Sequence, residues 1–213
     1  MDEASRAKEV IKLLSKLYPD AKVALNYGNP LELLVATILS ARCTDAKVNQ
    51  VTRKLFEKYR TPEDYMNAKT SVLRREIRSL GTFRRKAALI KGCCKALVEE
   101  FNSSVPRSMA EIVTLPGVAR KTANVVLANA YGVVEGIAVD THVTRLSRRL
   151  GLTKNKLPDK IEKDLMGIVP RGDWFRISYL LIDHGRKICT ARKPLCSECV
   201  INGICPSAFK FKL

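Results

Sequence analysis

The chain has 213 residues, enough for one large domain or two small ones, and 46% of them are hydrophobic, enough for a packed core and against a disordered chain. Lys and Arg number 38 against 21 Asp and Glu, a formal net charge of +17. An enzyme of small neutral metabolites needs no such excess, and a merely charge-rich surface would balance its signs, so a polyanionic partner is implied, nucleic acid ahead of an anionic membrane surface.

No run of 18 apolar residues is present, so no membrane span is expected. The start, Met1-Asp2-Glu3-Ala4-Ser5-Arg6, carries early acids and no apolar core. It is not a secretion signal, and an intracellular protein of the cytoplasm or nucleoid is expected. In that compartment the seven Cys read as thiols or metal ligands rather than as a disulfide framework.

Apolar residues recur at helical spacing along the chain. Ala7, Val10, Ile11, Leu14 and Leu17 form a first stripe; Leu31, Leu34, Val35, Ile38 and Leu39 a broader one, suited to a buried helix; Val48, Val51, Leu55 and Phe56 a third. Further stripes run from Val72 to Leu80, Ala87 to Phe101, Met109 to Leu115, Thr122 to Tyr131, Val143 to Leu150, Ile161 to Val169 and Trp174 to His184. Gly and Pro punctuate them, and Val133 to Val139 is the one short candidate strand. The pattern predicts an all-α protein of about ten helices. Residues 69–96 hold nine Lys or Arg and one acid, and residues 145–213 hold fifteen basic and six acidic residues. The two stretches could line one groove or two separate faces.

Ser108-Met109-Ala110-Glu111 reads as a capping box opening a short helix. Leu115-Pro116-Gly117-Val118-Ala119 then turns the chain, and Arg120-Lys121-Thr122-Ala123 opens the next helix. Such a turn aims backbone N–H groups outward at a helix N-terminus, where they bind phosphate oxygen without reading bases. Lys121 lies in the first turn, where the helix dipole and desolvation both disfavour an ammonium. A neutral amine there is a nucleophile able to form a Schiff base; a charged one is a phosphate contact. Asp140, in Val139-Asp140-Thr141-His142-Val143, reads either as the N-cap of the next helix or as a carboxylate for proton transfer, and the two roles are compatible. Cys189, Cys196, Cys199 and Cys205 are spaced C-x6-C-x2-C-x5-C within 17 residues, a set that could wrap tetrahedral zinc or an iron–sulfur cluster. Ligation at Cys189 and Cys196 would fix the loop between them and present Arg192 and Lys193 outward.

The string Leu115-Pro116-Gly117-Val118-Ala119-Arg120-Lys121-Thr122-Ala123, followed by the Asp140 loop and the four Cys, closely resembles the helix–hairpin–helix DNA glycosylases, and within them the endonuclease III family. The resemblance runs from Asn29-Pro30 to Cys205. It implies a two-lobed fold: a six-helix barrel with the hairpin over 23–134, and an iron–sulfur lobe made of 1–22 and 135–213. Double-stranded DNA carrying damaged bases or abasic sites would lie in the groove between the lobes, bound by a monomer. By the resemblance, Lys121 attacks C1′ of the damaged nucleotide and expels the base, and β-elimination then nicks the strand 3′ to the lesion. Asp140 assists proton transfer, and the four Cys hold one four-iron–four-sulfur cluster. Oxidised pyrimidines such as thymine glycol are the implied substrates, flipped out of the stack.

Several positions depart from the family pattern. Ala119 stands where Gly is usual, with a strain of about 1 kcal/mol or more expected if the site needs φ > 0. Arg42, in Leu39-Ser40-Ala41-Arg42-Cys43-Thr44-Asp45, stands where Gln is usual, in the segment that fills the gap left by the extruded nucleotide. Thr82, in Leu80-Gly81-Thr82-Phe83-Arg84-Arg85-Lys86, occupies the place of an apolar wedge, so Phe83 or Arg42 is expected to share its work, with Arg84-Arg85-Lys86 on phosphate. Arg145, one turn beyond Asp140, is a further expected phosphate contact. Asp45 is expected to cap the helix from Ala46. Cys43, Cys93 and Cys94 read as structural thiols. Two other readings differ at named features. A monofunctional adenine or mismatch glycosylase generally lacks Lys at the place of Lys121, and the adenine enzymes carry an acid that the helix around Ile38 lacks. A non-catalytic DNA-binding protein with a metal-stapled tail would survive the loss of Lys121 and Asp140.

Overall fold

Apolar residues at helical spacing become helices almost wherever the sequence places them. The computed structural model describes residues 1–211. In chain order the helices are α1 (Glu3–Leu17), α2 (Pro30–Leu39), α3 (Asp45–Lys58), α4 (Pro62–Asn67), α5 (Thr70–Glu76), α6 (Phe83–Glu100), α7 (Met109–Ile112), α8 (Arg120–Tyr131), α9 (Thr141–Arg149), α10 (Pro158–Ile168) and α11 (Trp174–Lys187). Short 3₁₀ turns stand at Arg78–Leu80, Arg171–Asp173, Cys196–Glu198 and Asn202–Ile204. No strand occurs among the described residues.

Val133 to Val139, expected as a strand, is neither strand nor helix. A ladder needs a second extended chain, and this run lies alone among helices. Its apolar residues serve as core instead, with Ile137 and Val139 both buried.

The fold divides into two units, Val23–Glu135 and a second made of Met1–Lys22 with the chain from Gly136 onward. In the first, α2 is the central element. Asn29 caps it by accepting the Glu32 N–H at 2.9 Å, and Pro30 stands in its first turn. Apart from Glu32, every residue from Leu31 to Leu39 is buried, against α3, α6 and α8 among others. Each such Leu or Ile contributes roughly 1.5–3 kcal/mol by leaving water. The end of α2 delivers the Arg42 loop, and the Arg78–Leu80 turn delivers Thr82. In the second unit α11 packs on α9 and α1, around Val10, Leu14, Val143, Leu146, Ile177 and Leu180. That core anchors the start of α9 and the cysteine loop after α11.

Candidate functional site

The hairpin is built from small local choices. Ser108 Oγ accepts the Glu111 N–H at 3.3 Å and donates to the Glu111 carboxylate at 2.6 Å, a side-chain pair in place of the reciprocal backbone bond expected of a capping box. The α7 helix lasts a single turn. The Val118 N–H then donates to the Leu115 carbonyl at 3.0 Å, closing a turn with Gly117 at φ +84. A Cβ on Gly117 would also meet the Leu89 side chain at 3.2 Å. Ala119 is the N-cap of α8 at φ −86, ψ 167. This is ordinary extended backbone, so the strain expected from an Ala here does not arise. Ala119 brings no side-chain oxygen to cap the helix. An anionic oxygen suits such an end. Gly117 and Ala119 are exposed, and Arg120 and Lys121, the first two residues of α8, are half-buried.

Asp140 is the N-cap of α9, its Oδ1 accepting the Val143 N–H at 2.8 Å. The cap fixes the carboxylate's direction without exhausting it, because an ionised carboxylate offers about four lone-pair sites. His142 follows, half-buried, its pKa pushed down by burial against the opposing pull of Asp140. Arg145 was expected to face phosphate. It is bound into the protein instead: Nη2 meets His142 Nδ1 at 3.1 Å and donates to the Gly185 carbonyl at 2.8 Å, while Nε donates to the Cys189 carbonyl at 3.2 Å. Arginine only donates, so His142 Nδ1 is the acceptor. α11 comes this close because Gly185 has no side chain; a Cβ there would lie 2.8 Å from His142 Nδ1 and 2.9 Å from Arg145 Nη2. Arg145 therefore braces the start of α9 against α11.

Arg42 and Thr82 are exposed, and both lie in the left-handed region, at φ +56 and +39. For residues other than Gly this costs on the order of 1–3 kcal/mol each and persists only where the surroundings impose it. Phe83 packs half-buried on the core, with the Arg84 guanidinium 5.7 Å from its ring centroid, so Thr82 and not Phe83 forms the tip of this loop. Arg84 and Arg85 are exposed, as phosphate contacts require. Lys86 is not: it is 2% exposed, donating to the Leu80 carbonyl at 2.7 Å and to Cys43 Sγ at 3.2 Å. One more expectation shifts by a residue, since Thr44 rather than Asp45 caps α3 by accepting the Lys47 N–H at 3.4 Å.

Cys189, Cys196, Cys199 and Cys205 line one small recess, walled in part by Leu146, Ile188 and Ile201. Two polar side chains address the sulfurs. Arg149 Nη1 donates to Cys189 Sγ at 3.2 Å and to the Thr190 carbonyl at 2.7 Å, and its Nη2 donates to the Ala191 carbonyl at 2.9 Å. His184 Nε2 lies 3.3 Å from Cys199 Sγ, and Tyr18 Oη lies 3.2 Å from His184 Nδ1. Burial raises the Cys199 thiol to about 11 and also raises Cys205, so metal must displace protons to bind. Among the described residues no three His, Cys, Asp or Glu side chains converge on one ion position. Four thiols lining one recess, with N–H donors behind them, are a donor set that could hold an iron–sulfur cluster. The loop itself is tied by Thr190 Oγ1 to the Lys193 carbonyl at 2.7 Å and by the Leu195 N–H to the Ile188 carbonyl at 3.0 Å, with Arg192 and Lys193 exposed.

Sequence reasoning missed Arg149, His184 and Tyr18. Their partners lie 40, 15 and 166 residues away, and no spacing rule links them.

Residues 35–171 match the family model of the HhH-GPD superfamily base excision DNA repair proteins, and residues 189–205 match the iron–sulfur binding domain of endonuclease III. The chain is 53% identical over 203 residues to endonuclease III of Synechocystis sp., across 95% of this chain and 93% of the relative. It is 46% identical over 193 residues to endonuclease III of Bacillus subtilis, across 90% and 88%. Among solved structures, a trapped endonuclease III–DNA covalent intermediate in an estranged-adenine complex superposes with a TM-score of 0.94 at 44% identity, covering 99% of both chains.

Proposed function

The chain belongs to the endonuclease III family of base excision repair proteins, and from that premise we propose that Lys121 is its nucleophile and Asp140 its proton-transfer group. It is a bifunctional DNA glycosylase and AP lyase acting on damaged DNA, with one four-iron–four-sulfur cluster as cofactor. What carries the assignment of Lys121 is its place in the first turn of α8, directly behind the Pro116-Gly117 turn and an N-cap that offers no side-chain acceptor. Phosphate seated on that end holds the sugar of the extruded nucleotide near the amine.

Asp140 takes a proton from the Lys121 ammonium. The free amine forms a bond to C1′ as the bond from C1′ to the base breaks, and the base leaves with the electron pair and the proton that Asp140 took up. Opening of the sugar ring gives an iminium between Lys121 Nζ and C1′. Loss of a proton from C2′ then breaks the C3′–O bond, nicking the strand on the 3′ side. Water releases the unsaturated aldehyde and regenerates the amine. Lysine suits this sequence because an amine, unlike water, leaves a cation on C1′ that acidifies C2′.

Cys189, Cys196, Cys199 and Cys205 would hold the cluster, which when bound cross-links the loop that carries Arg192 and Lys193. Gly117, Ala119 and Arg120 are proposed to meet phosphate through the hairpin, Arg84, Arg192 and Lys193 through charge, and Arg42 and Thr82 to enter the gap left by the flipped nucleotide. Phe83 supports Thr82 from beneath. Oxidised pyrimidines of the thymine glycol type are the proposed substrates. No helix among the described residues is long and apolar enough to cross a membrane; the proposed setting is the cytoplasm and nucleoid, with the protein acting as a monomer. The test is strand cleavage and base release on an end-labelled duplex carrying one thymine glycol. Lys121→Gln should abolish both while lesion binding persists, and a variant that still nicks overturns the assignment.

A further inference from the structure

Lys86 is a buried cation held by a carbonyl and a sulfur rather than by a carboxylate. Its 2% exposure removes it from the phosphate-facing run formed by its neighbours Arg84 and Arg85. Nζ donates to the Leu80 carbonyl at 2.7 Å and to Cys43 Sγ at 3.2 Å, and the Cys43 thiol donates to the same Leu80 carbonyl at 2.6 Å. Three groups thus meet at one point: one from the loop after α2, one from the turn before α6, and one from α6 itself.

Positions flanking that point have left-handed backbone. Arg42, at φ +56, immediately precedes Cys43; Gly81 and Thr82, at φ +58 and +39, immediately follow Leu80. Left-handed backbone at Arg and Thr is held only where neighbouring contacts over-determine it. The Lys86 ammonium supplies such a contact to both loops at once. The burial of a charge also calls for a reason, since an apolar side chain of similar length would fill the same space without it.

We propose that Lys86 is a positioning residue for nucleotide extrusion: it pins the Arg42 loop to the Thr82 loop so that both tips enter the duplex in a fixed register. It acts through Arg42 and Thr82, and rests on the reading of those two as the residues that fill the gap. Cys43 is the second half of the clamp, which gives this thiol a role its sequence context did not suggest.

The experiment compares two substrates on the intact, cluster-loaded enzyme: a duplex with one thymine glycol, which must be extruded, and a single-stranded oligonucleotide with a preformed abasic site, which need not be. Active enzyme is counted by borohydride trapping on the single strand, so partial misfolding cancels from the ratio of the two rates. For Lys86→Met the ratio of duplex excision to single-strand cleavage should fall about tenfold or more, and for Cys43→Ala it should fall in the same direction by less. Should Lys86→Met not fold, Lys86→Arg carries the test, because a planar guanidinium keeps the charge but cannot place one nitrogen against both acceptors; the ratio must fall there too. A merely structural lysine lowers melting temperature and leaves the ratio unchanged, and an unchanged ratio overturns the clamp. The underlying reading is separated by Arg42→Ala combined with Thr82→Ala. If that double variant leaves duplex excision intact, both the gap-filling reading and the clamp fall; if it is impaired while the Lys86 variants keep the normal ratio, the clamp alone falls.

Discussion

His184 Nε2 lies 3.3 Å from Cys199 Sγ, and the opposite ring nitrogen is met by Tyr18 Oη at 3.2 Å. The ring is 1% exposed and burial pushes its pKa down to about 4, so it is neutral and carries one N–H. If the Tyr18 hydroxyl donates to Nδ1, that single proton is on Nε2 and points at the sulfur. A hydrogen bond from a neighbouring side chain to a ligating atom orients that ligand and is typically worth about 10–100-fold in metal affinity. His184→Phe should therefore speed loss of the cluster's visible absorbance under a chelator by about tenfold, and Tyr18→Phe by less. Equal bleaching rates for wild type and both variants would show that Cys199 needs no orienting partner.

The hairpin makes different predictions for Gly117 and Ala119. Gly117→Ala forces a Cβ onto φ +84 and against Leu89, and should cost about 1 kcal/mol or more of stability and weaken DNA binding. Ala119→Gly replaces the N-cap residue at φ −86, where the better capping by Gly offsets its looser unfolded chain, so stability should change by less than about 1 kcal/mol, with no gain in DNA affinity. Thermal melts and DNA titrations check both. Tighter DNA binding by Ala119→Gly would mean that the turn rearranges on the ligand.

Asp140 separates capping from catalysis by substitution. Asn can still accept the Val143 N–H, so Asp140→Asn should keep stability close to wild type while turnover falls sharply. Asp140→Ala should lose turnover and also about 1 kcal/mol of stability. Normal turnover in the Asn variant would reduce Asp140 to a helix cap.

Arg192 and Lys193 are exposed on a loop whose backbone is bonded at both ends. Each phosphate neutralised contributes about −0.9 to the slope of log affinity against log salt. Replacing both by Ala should flatten that slope by up to about 1.8, whereas Arg149→Met should weaken binding by loosening the loop with little change of slope. A double variant with the wild-type slope would place these two side chains away from the DNA.

The parts of this molecule that were legible in the sequence are the local ones. The Leu115-to-Ala123 hairpin, the Asp140 cap and the cysteine spacing are each set by residues within one turn or one loop, and the structure builds each from those residues. The illegible parts depend on contacts between distant segments. Lys86 sits in a basic run and reads as exposed until the Leu80 carbonyl and Cys43 are brought to it. Arg145 reads as a phosphate contact until Gly185 admits α11 beside it. Thr82 could be seen to be a poor wedge, yet only the backbone shows that it is a left-handed tip and that Phe83 lies on the core beneath. Val133 to Val139 alternates like a strand, and only the absence of a partner among helices decides against it.

The central claim is that an amine, Lys121, does the chemistry. Borohydride added during reaction on a duplex carrying one thymine glycol reduces an iminium between enzyme and sugar to a stable covalent link. The wild-type protein should form that adduct and Lys121→Gln should not. Base release by the wild type with no adduct, or an adduct that survives Lys121→Gln, would contradict the account.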